Sequence, residues 1–410
     1  MKPNILFADD ESGILNGLRL SLRLQRAKWD MDFALGGPQA VEALAKTTYN
    51  VIVTDMRMPG MDGAQVLAEA RRLQPHCVRI ILSGYADNES VLKAVKPAHL
   101  YLSKPCRSEV LIQAIEKALD LDGLLASEGL RALAARLESL PALPHLYTEL
   151  EQALYLGNVP LARLGEIIGR DAGMAATILR LVNSAFFGLP RRVTSIQHAV
   201  NLLGENILRT LVLTVHLFTV LDNARTPDFS VRLLWEHSFR TGSFAKAIAL
   251  AEGAAPQDRE DCFIAGMLHD VGKLVLLLGL AAEYEAILAR VRSEALPLYA
   301  AEQTALAADH AAIGGYLLNL WGFPRIVLTA VSQHHAPAHL DWTVFSPQTA
   351  VAAANVLEHE LVRLHPDYAV HALEAPPVAV ARLDAWREIC RRKLDEEATA
   401  REEGAGEDAD

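Results

Sequence analysis

The sequence predicts an α/β domain followed by an all-α domain, and three observations carry this. Over about residues 1–120, short apolar, β-branched runs alternate with helical patterns, as in a doubly wound parallel sheet covered on both faces. Beyond Leu140-Pro141-Ala142-Leu143-Pro144 the strand signal stops, and apolar residues recur at helical spacing to about Ile389. Two of the early strand runs also end in carboxylates, at the place where open α/β sheets put their chemistry.

The elements follow in order. Ile5-Leu6-Phe7-Ala8 is a buried strand that ends in Asp9-Asp10. Ile14, Leu15, Leu18 and Leu22 mark the first helix, and Ala40, Val41, Leu44 and Ala45 the second. Val51-Ile52-Val53-Thr54 is a strand that stops at Asp55, and Pro59-Gly60 with Asp62-Gly63 forces a loop after it. Ala64-Gln65-Val66-Leu67 opens the third helix. Arg79-Ile80-Ile81-Leu82 runs into Ser83-Gly84, Asn88 to Val95 is a fourth helix, and Leu100-Tyr101-Leu102 runs into Ser103-Lys104-Pro105. Ser108 sits in the N-cap region of a fifth helix. The predicted boundaries are 1–120 for the α/β domain, 121–136 for a helical linker, and 137–340 for the helical domain. A helical extension at 341–394 and an acidic disordered tail at 395–410 complete the chain.

Composition narrows the function classes. The chain has 410 residues and is 51% hydrophobic, enough for two cores. Its net charge is −11, and the tail from Asp395 holds eight acids and one Arg. Neither tail nor body carries the basic stripe of a nucleic-acid binder, so DNA is not an expected partner. Asp9 and Asp10 interrupt the N-terminal apolar run too early for a signal peptide, and no membrane span is expected. Cys77, Cys106, Cys262 and Cys390 lack C-x-x-C spacing. They read as free thiols in a reducing compartment, so the expected location is cytoplasmic.

Asp9, Asp10 and Asp55 at the ends of two central strands would repel one another without a cation, and all-oxygen donors suit Mg²⁺. Together with Ser83, Tyr101 and Lys104-Pro105 in this order, they resemble the flavodoxin-like receiver domain of bacterial two-component response regulators. The resemblance implies that Asp55 accepts a phosphoryl group. It implies that Mg²⁺ is held by Asp9, Asp10, Asp55 and the backbone carbonyl of Arg57. Ser83 and Lys104 would meet phosphoryl oxygens, and Tyr101 would swing inward as a switch; by spacing alone Tyr101 reads equally as a half-buried strand aromatic. Charge neutralisation and positioning are most of what phosphoryl transfer requires of a protein. The implied phosphodonor is a sensor histidine kinase or a phosphotransfer protein.

In the helical region His237, His269-Asp270, His310 and His334-His335 all lie in apolar helical contexts. Buried His-Asp pairs are costly unless satisfied, and imidazole with carboxylate is a metal-donor set. These residues, with Lys273, resemble the HD superfamily of metal-dependent phosphohydrolases. The segments Asp171 to Gly204 and Trp321-Gly322-Phe323-Pro324 resemble its HDOD branch, a signalling output module. Two departures stand out. The pattern's final Asp aligns with Asn355, and no Gly-Tyr-Pro follows His334-His335. The expectation is therefore a vestigial site at His237, His269, Asp270, His310, His334, His335 and Asn355, holding a divalent metal weakly or not at all. Two functions stay open: an output domain that binds a signalling partner under control of Asp55, or a phosphohydrolase acting on cyclic di-GMP or another nucleotide. The output partner is not legible, and a homodimer is left open.

Overall fold

The computed structural model describes residues 2–75, 77–83, 98–104, 106–119, 128–137, 146, 147, 149, 150, 153, 161–184, 187, 193–221, 229–336, 340–362 and 377–407. The first domain is a five-stranded, all-parallel sheet. Its strands are β1 (Asn4–Asp9), β2 (Asp30–Leu35), β3 (Val51–Asp55), β4 (Val78–Ser83) and β5 (Leu100–Ser103), in the order β2-β1-β3-β4-β5. Side chains alternate across it with a period of two. Ile5, Phe7, Val51, Val53 and Ile80 face a core shared with α1 (Ser12–Ser21) and α4 (Ser108–Leu119). Leu6, Ala8, Ile52 and Ile81 face the opposite core, with α2 (Gly37–Lys46) and α3 (Gly63–Leu73). Every residue of β3 is buried, which explains its unbroken apolar run.

The loop after β3 is held by its own chemistry. Asp62 and Gln65 form a reciprocal capping box that starts α3. A Cβ on Gly63 would sit 2.2 Å from the Asp55 carbonyl oxygen, so only glycine lets α3 begin this close to the strand end. The helix expected at Asn88–Val95 and the domain start at Leu140–Pro144 lie outside the described residues.

The second domain is helical throughout its described residues. It comprises α5 (Glu128–Arg136), α6 (Leu161–Gly169), α7 (Ala172–Val182), α8 (Ile196–Leu203), α9 (Glu205–Leu221), α10 (Val231–Ala251) and α11 (Pro256–Leu268). Then come α12 (Val271–Gly279), α13 (Ala281–Glu294), α14 (Leu298–Leu306), α15 (His310–Leu320), α16 (Arg325–Gln333), α17 (Pro347–Leu361) and α18 (Pro377–Glu407). The buried α10 packs against α11 and α17. Gly242 and Gly266 meet face to face at the α10–α11 crossing, where a Cβ on Gly266 would lie 2.7 Å from the Gly242 Cα. The stretch Pro256–Gly279 is long and apolar enough to cross a membrane, yet 89% of its apolar window is buried inside the protein. All four cysteines are free.

The apolar core runs continuously from one domain into the other. Helix α4 of the sheet domain packs on α15, and α5 packs on the same helix. Gly129 of α5 lies against the Ala307 carbonyl, and Arg136 pairs with Glu283 on α13. The acidic segment from Asp395, expected as a disordered tail, carries helix α18 as far as Glu407. Lys393 pairs with Glu396 one turn on, and Glu397 is 3% exposed with its carboxylate 3.7 Å from Arg240. Lys393 is a neighbour in sequence, whereas the arginine beside Glu397 is brought there only by the fold.

Candidate functional site

Parallel pairing of β1, β3, β4 and β5 brings their carboxyl ends to one edge, and that edge is the first site. Lys104, just past β5, places its ammonium 3.0 Å from Asp9 Oδ2 and pairs with Asp55 Oδ1. The other oxygens are taken by backbone: Asp9 Oδ1 accepts from the Glu11 N–H at 2.9 Å, and Asp55 Oδ2 from the Arg57 N–H at 2.7 Å. Burial pulls the Lys104 pKa down, but Asp55 and Asp9 outweigh it and hold it above the ordinary lysine value. Asp10 is exposed beside Asp9, and Arg57 is exposed after Asp55. The backbones of Ser83 and Tyr101 lie in β4 and β5, whereas their side chains fall outside the described structure. Asp9 and Asp55 thus share the Lys104 ammonium at this edge, with Asp10 next in the chain.

The second site lies where α10, α12, α15 and the C-terminal ends of α11 and α16 converge. Asp270, 1% exposed, stands between α11 and α12 and faces four imidazoles. His237 Nε2 lies 3.5 Å and His269 Nε2 3.4 Å from Asp270 Oδ2, and these two nitrogens are 3.1 Å apart. On the other side His310 Nε2 lies 3.2 Å and His334 Nε2 3.7 Å from Asp270 Oδ1. His335 Nε2 lies 2.9 Å from His310 Nε2. Lys273 donates to Asp270 Oδ2 at 2.6 Å. The edge at His335 is half-buried and stacks on Tyr299.

Each facing nitrogen is an Nε2 because each Nδ1 is engaged elsewhere. His269 Nδ1 meets the Gly266 carbonyl and His334 Nδ1 the Val331 carbonyl, both at 2.7 Å. His237 Nδ1 meets Glu358 and His310 Nδ1 meets Glu302, both at 2.6 Å. Carbonyls and carboxylates only accept, so these Nδ1 atoms carry protons, and in the neutral rings the Nε2 lone pairs converge. Burial pushes His269, His334 and His335 towards the neutral form. His310 differs: burial lowers it, but Glu302 and Asp270 prevail and lift it to about 9. Asp270 stays well below the carboxylate range, since His269 and Lys273 outweigh its burial. Asp270 Oδ1 and His334 Nε2 nonetheless make no hydrogen bond.

Lys273 already brings one positive charge to Oδ2, and the Oδ1 edge, with the neutral His334 imidazole turned towards it and no hydrogen bond of its own, suits a further cation. Bonds of about 2.0–2.1 Å to a tetrahedral metal imply donor separations of about 3.3 Å. The observed distances of 2.9, 3.2 and 3.7 Å on the Oδ1 side bracket that value, as do 3.1, 3.4 and 3.5 Å on the Oδ2 side. Among the described residues, two of three overlapping donor groups share Asp270, with His237 and His269 in one and His310, His334 and His335 in the other; the third is His237, Glu358 and His359. The two that share Asp270 fit a nitrogen-rich divalent metal.

Asn355 is buried on α17 with an Oδ1 that makes no hydrogen bond. The carboxylate on this helix is one turn further on: Glu358 meets His237 through Oε2 and Arg240 through Oε1 at 2.9 Å. His359 stacks on His237 and is pushed down by burial to about 3. Glu302, Glu358 and His359 escape notice in one dimension. Their only signal is an acid or an acid–imidazole pair inside an apolar helix.

The receiver-domain family model (Response regulator receiver domain) matches residues 5–116, and the HDOD domain model matches residues 140–337. An uncharacterized protein of Treponema pallidum (strain Nichols) is 29% identical over 226 residues, 55% of this chain and 43% of its own length. The hydrogenase transcriptional regulatory protein HoxA of Cupriavidus necator is 32% identical over 126 residues, 29% of this chain and 25% of its own. This chain thus spans less than half of either relative. In fold, residues covering 69% of the chain resemble 94% of an HDOD domain protein of unknown function from Geobacter sulfurreducens, at a TM-score of 0.52 and 23% identity.

Proposed function

Because the chain joins a receiver domain to an HDOD domain, the architecture of two-component response regulators, we propose that phosphorylation of Asp55 controls the output of the helical domain. The observation that carries this reading is the ammonium of Lys104 set between Asp9 and Asp55 at the carboxyl edge of the sheet. In this reading Lys104 neutralises an incoming phosphoryl oxygen, and Asp9, Asp10, Asp55 and the Arg57 carbonyl hold Mg²⁺. Ser83 meets a phosphoryl oxygen and Tyr101 follows it. The donor is a sensor histidine kinase or phosphotransfer protein in the cytoplasm, and the output is capture of a signalling protein. Packing of α4 on α15 supports direct transmission, since α15 begins at His310. Incubation with Mg²⁺ and acetyl phosphate should add one acid-labile phosphoryl group to the full chain and none to Asp55→Asn. Undiminished labelling of that variant would sink the assignment.

A second reading, metal-dependent hydrolysis of a phosphoester such as cyclic di-GMP, is favoured by the five Nε2 atoms around Asp270. A divalent metal there would polarise a phosphoryl oxygen and acidify a bound water. The chain's own contribution would be to hold the donors, with Lys273 placing a cation beside them in a largely buried pocket. Stoichiometric metal in purified protein, with multiple-turnover cleavage lost in Asp270→Ala, would establish it. Metal without turnover leaves partner capture as the output.

A further inference from the structure

Two buried glutamates stand behind the histidine cluster, one on each side of Asp270. Glu302 of α14 is fully buried and its two oxygens take three donors. Oε2 accepts the His310 backbone N–H at 2.9 Å and His310 Nδ1–H at 2.6 Å, while Oε1 accepts the Tyr284 hydroxyl at 2.9 Å. Glu358 of α17 is likewise fully buried, with Oε2 on His237 Nδ1 and Oε1 on Arg240 Nη1. In each case the carboxylate grips the ring nitrogen remote from Asp270. Neither Glu302 nor Glu358 has an oxygen left over without a donor.

Resting on the metal centre of the second reading, we propose that Glu302 and Glu358 are paired positioning residues. They hold His310 and His237 as Nδ1–H tautomers, so that each half of a two-metal centre bridged by Asp270 has one carboxylate-backed imidazole. Three arguments converge. A carboxylate behind a histidine fixes its tautomer and raises its basicity as a ligand, and loss of such a partner typically weakens metal binding about 10–100-fold. The other two buried histidines, His269 and His334, are backed by carbonyls, so the two glutamates are distributed one per side. The pair also supplies negative charge that Asn355, a neutral amide, does not. Arg240 and Tyr284 hold the two carboxylates in turn.

The test is Zn²⁺ titration of the full chain against a competing chelator, with melting of the metal-free protein alongside. Wild type should bind two Zn²⁺. Glu302→Gln and Glu358→Gln should each weaken one of the two by about 10–100-fold and leave the other unchanged. Glu252→Gln, which loosens the docking of α18 through Arg382 and Trp386 without touching the histidine cluster, should retain both, as a control for general loosening of the fold. Two Zn²⁺ bound at wild-type affinity in both glutamine variants would overturn the proposal. So would equal loss in Glu252→Gln, which would make the effect one of packing. A wild type that takes up no Zn²⁺ would instead overturn the metal centre itself, and the roles of the glutamates with it.

Discussion

Replacing Gly272 by alanine tests the packing that sets the geometry of the helical site. Gly272 lies in the first turn of α12, two residues after Asp270, and its α-carbon rests against the first residue of α15. A Cβ there would lie 1.9 Å from the His310 carbonyl oxygen and 2.8 Å from both its carbon and Ile313 Cγ2. Such contacts essentially never fall under 3.0 Å, and the obstacle is backbone rather than a flexible side chain. One helix must therefore retreat by about an ångström. Overpacking of this kind typically costs about 1–3 kcal/mol. For a domain of this size, each kcal/mol lowers the melting temperature by about 2–4 °C, so a fall of roughly 2–12 °C is expected. The same retreat separates Asp270 from His310, now 3.2 Å apart, so Zn²⁺ binding should weaken as well. The assay is thermal unfolding of metal-free protein followed by Zn²⁺ titration. A variant that melts within about 1 °C of wild type and binds Zn²⁺ normally would refute the packing of α12 on α15.

Three other outcomes are expected. Phosphorylation should change hydrogen exchange in Ser108–Leu119 and in His310–Leu320, because α4 packs on α15 and a ligand shifts only what it contacts differently in two states; equal exchange in both forms would remove this route. Trp386→Ala should destabilise the helical domain by about 3–5 kcal/mol, as the indole is 1% exposed and donates to Glu252 at 2.7 Å; a loss well under 1 kcal/mol in denaturant titration would contradict the docking of α18. Glu252 should make that docking acid-sensitive: Arg382, and then Trp386, hold its carboxyl below the ordinary range against burial. Its contribution is present above the unfolded carboxylate value of about 4.3 and is lost as pH falls through the lowered folded value. Glu252→Gln should accordingly narrow the melting difference between neutral and acid pH, and an unchanged difference would exclude the ion pair as its source.

Local pattern alone determined the two fold classes, because strand and helix periods are properties of neighbouring residues. Asp9, Asp55 and Lys104 were legible for the same reason: each ends an apolar strand run, and parallel pairing sends those ends to one edge. The histidines were legible as residues, but their chemistry was not. Which nitrogen faces Asp270 depends on what holds the other, and for His237 that partner is 121 positions away on α17. Resemblance to the HD pattern put Asn355 at the close of the cluster. Packing of α17 on α10 brings Glu358, one helical turn on, to the far nitrogen of His237. The acidic end of the chain likewise reads as a solvated tail by composition. Only the tertiary structure seats the Trp386 indole on Glu252 and brings Arg240 of α10 beside Glu397. Charge and polarity are local facts, whereas the partner that satisfies a buried group is chosen by the whole fold.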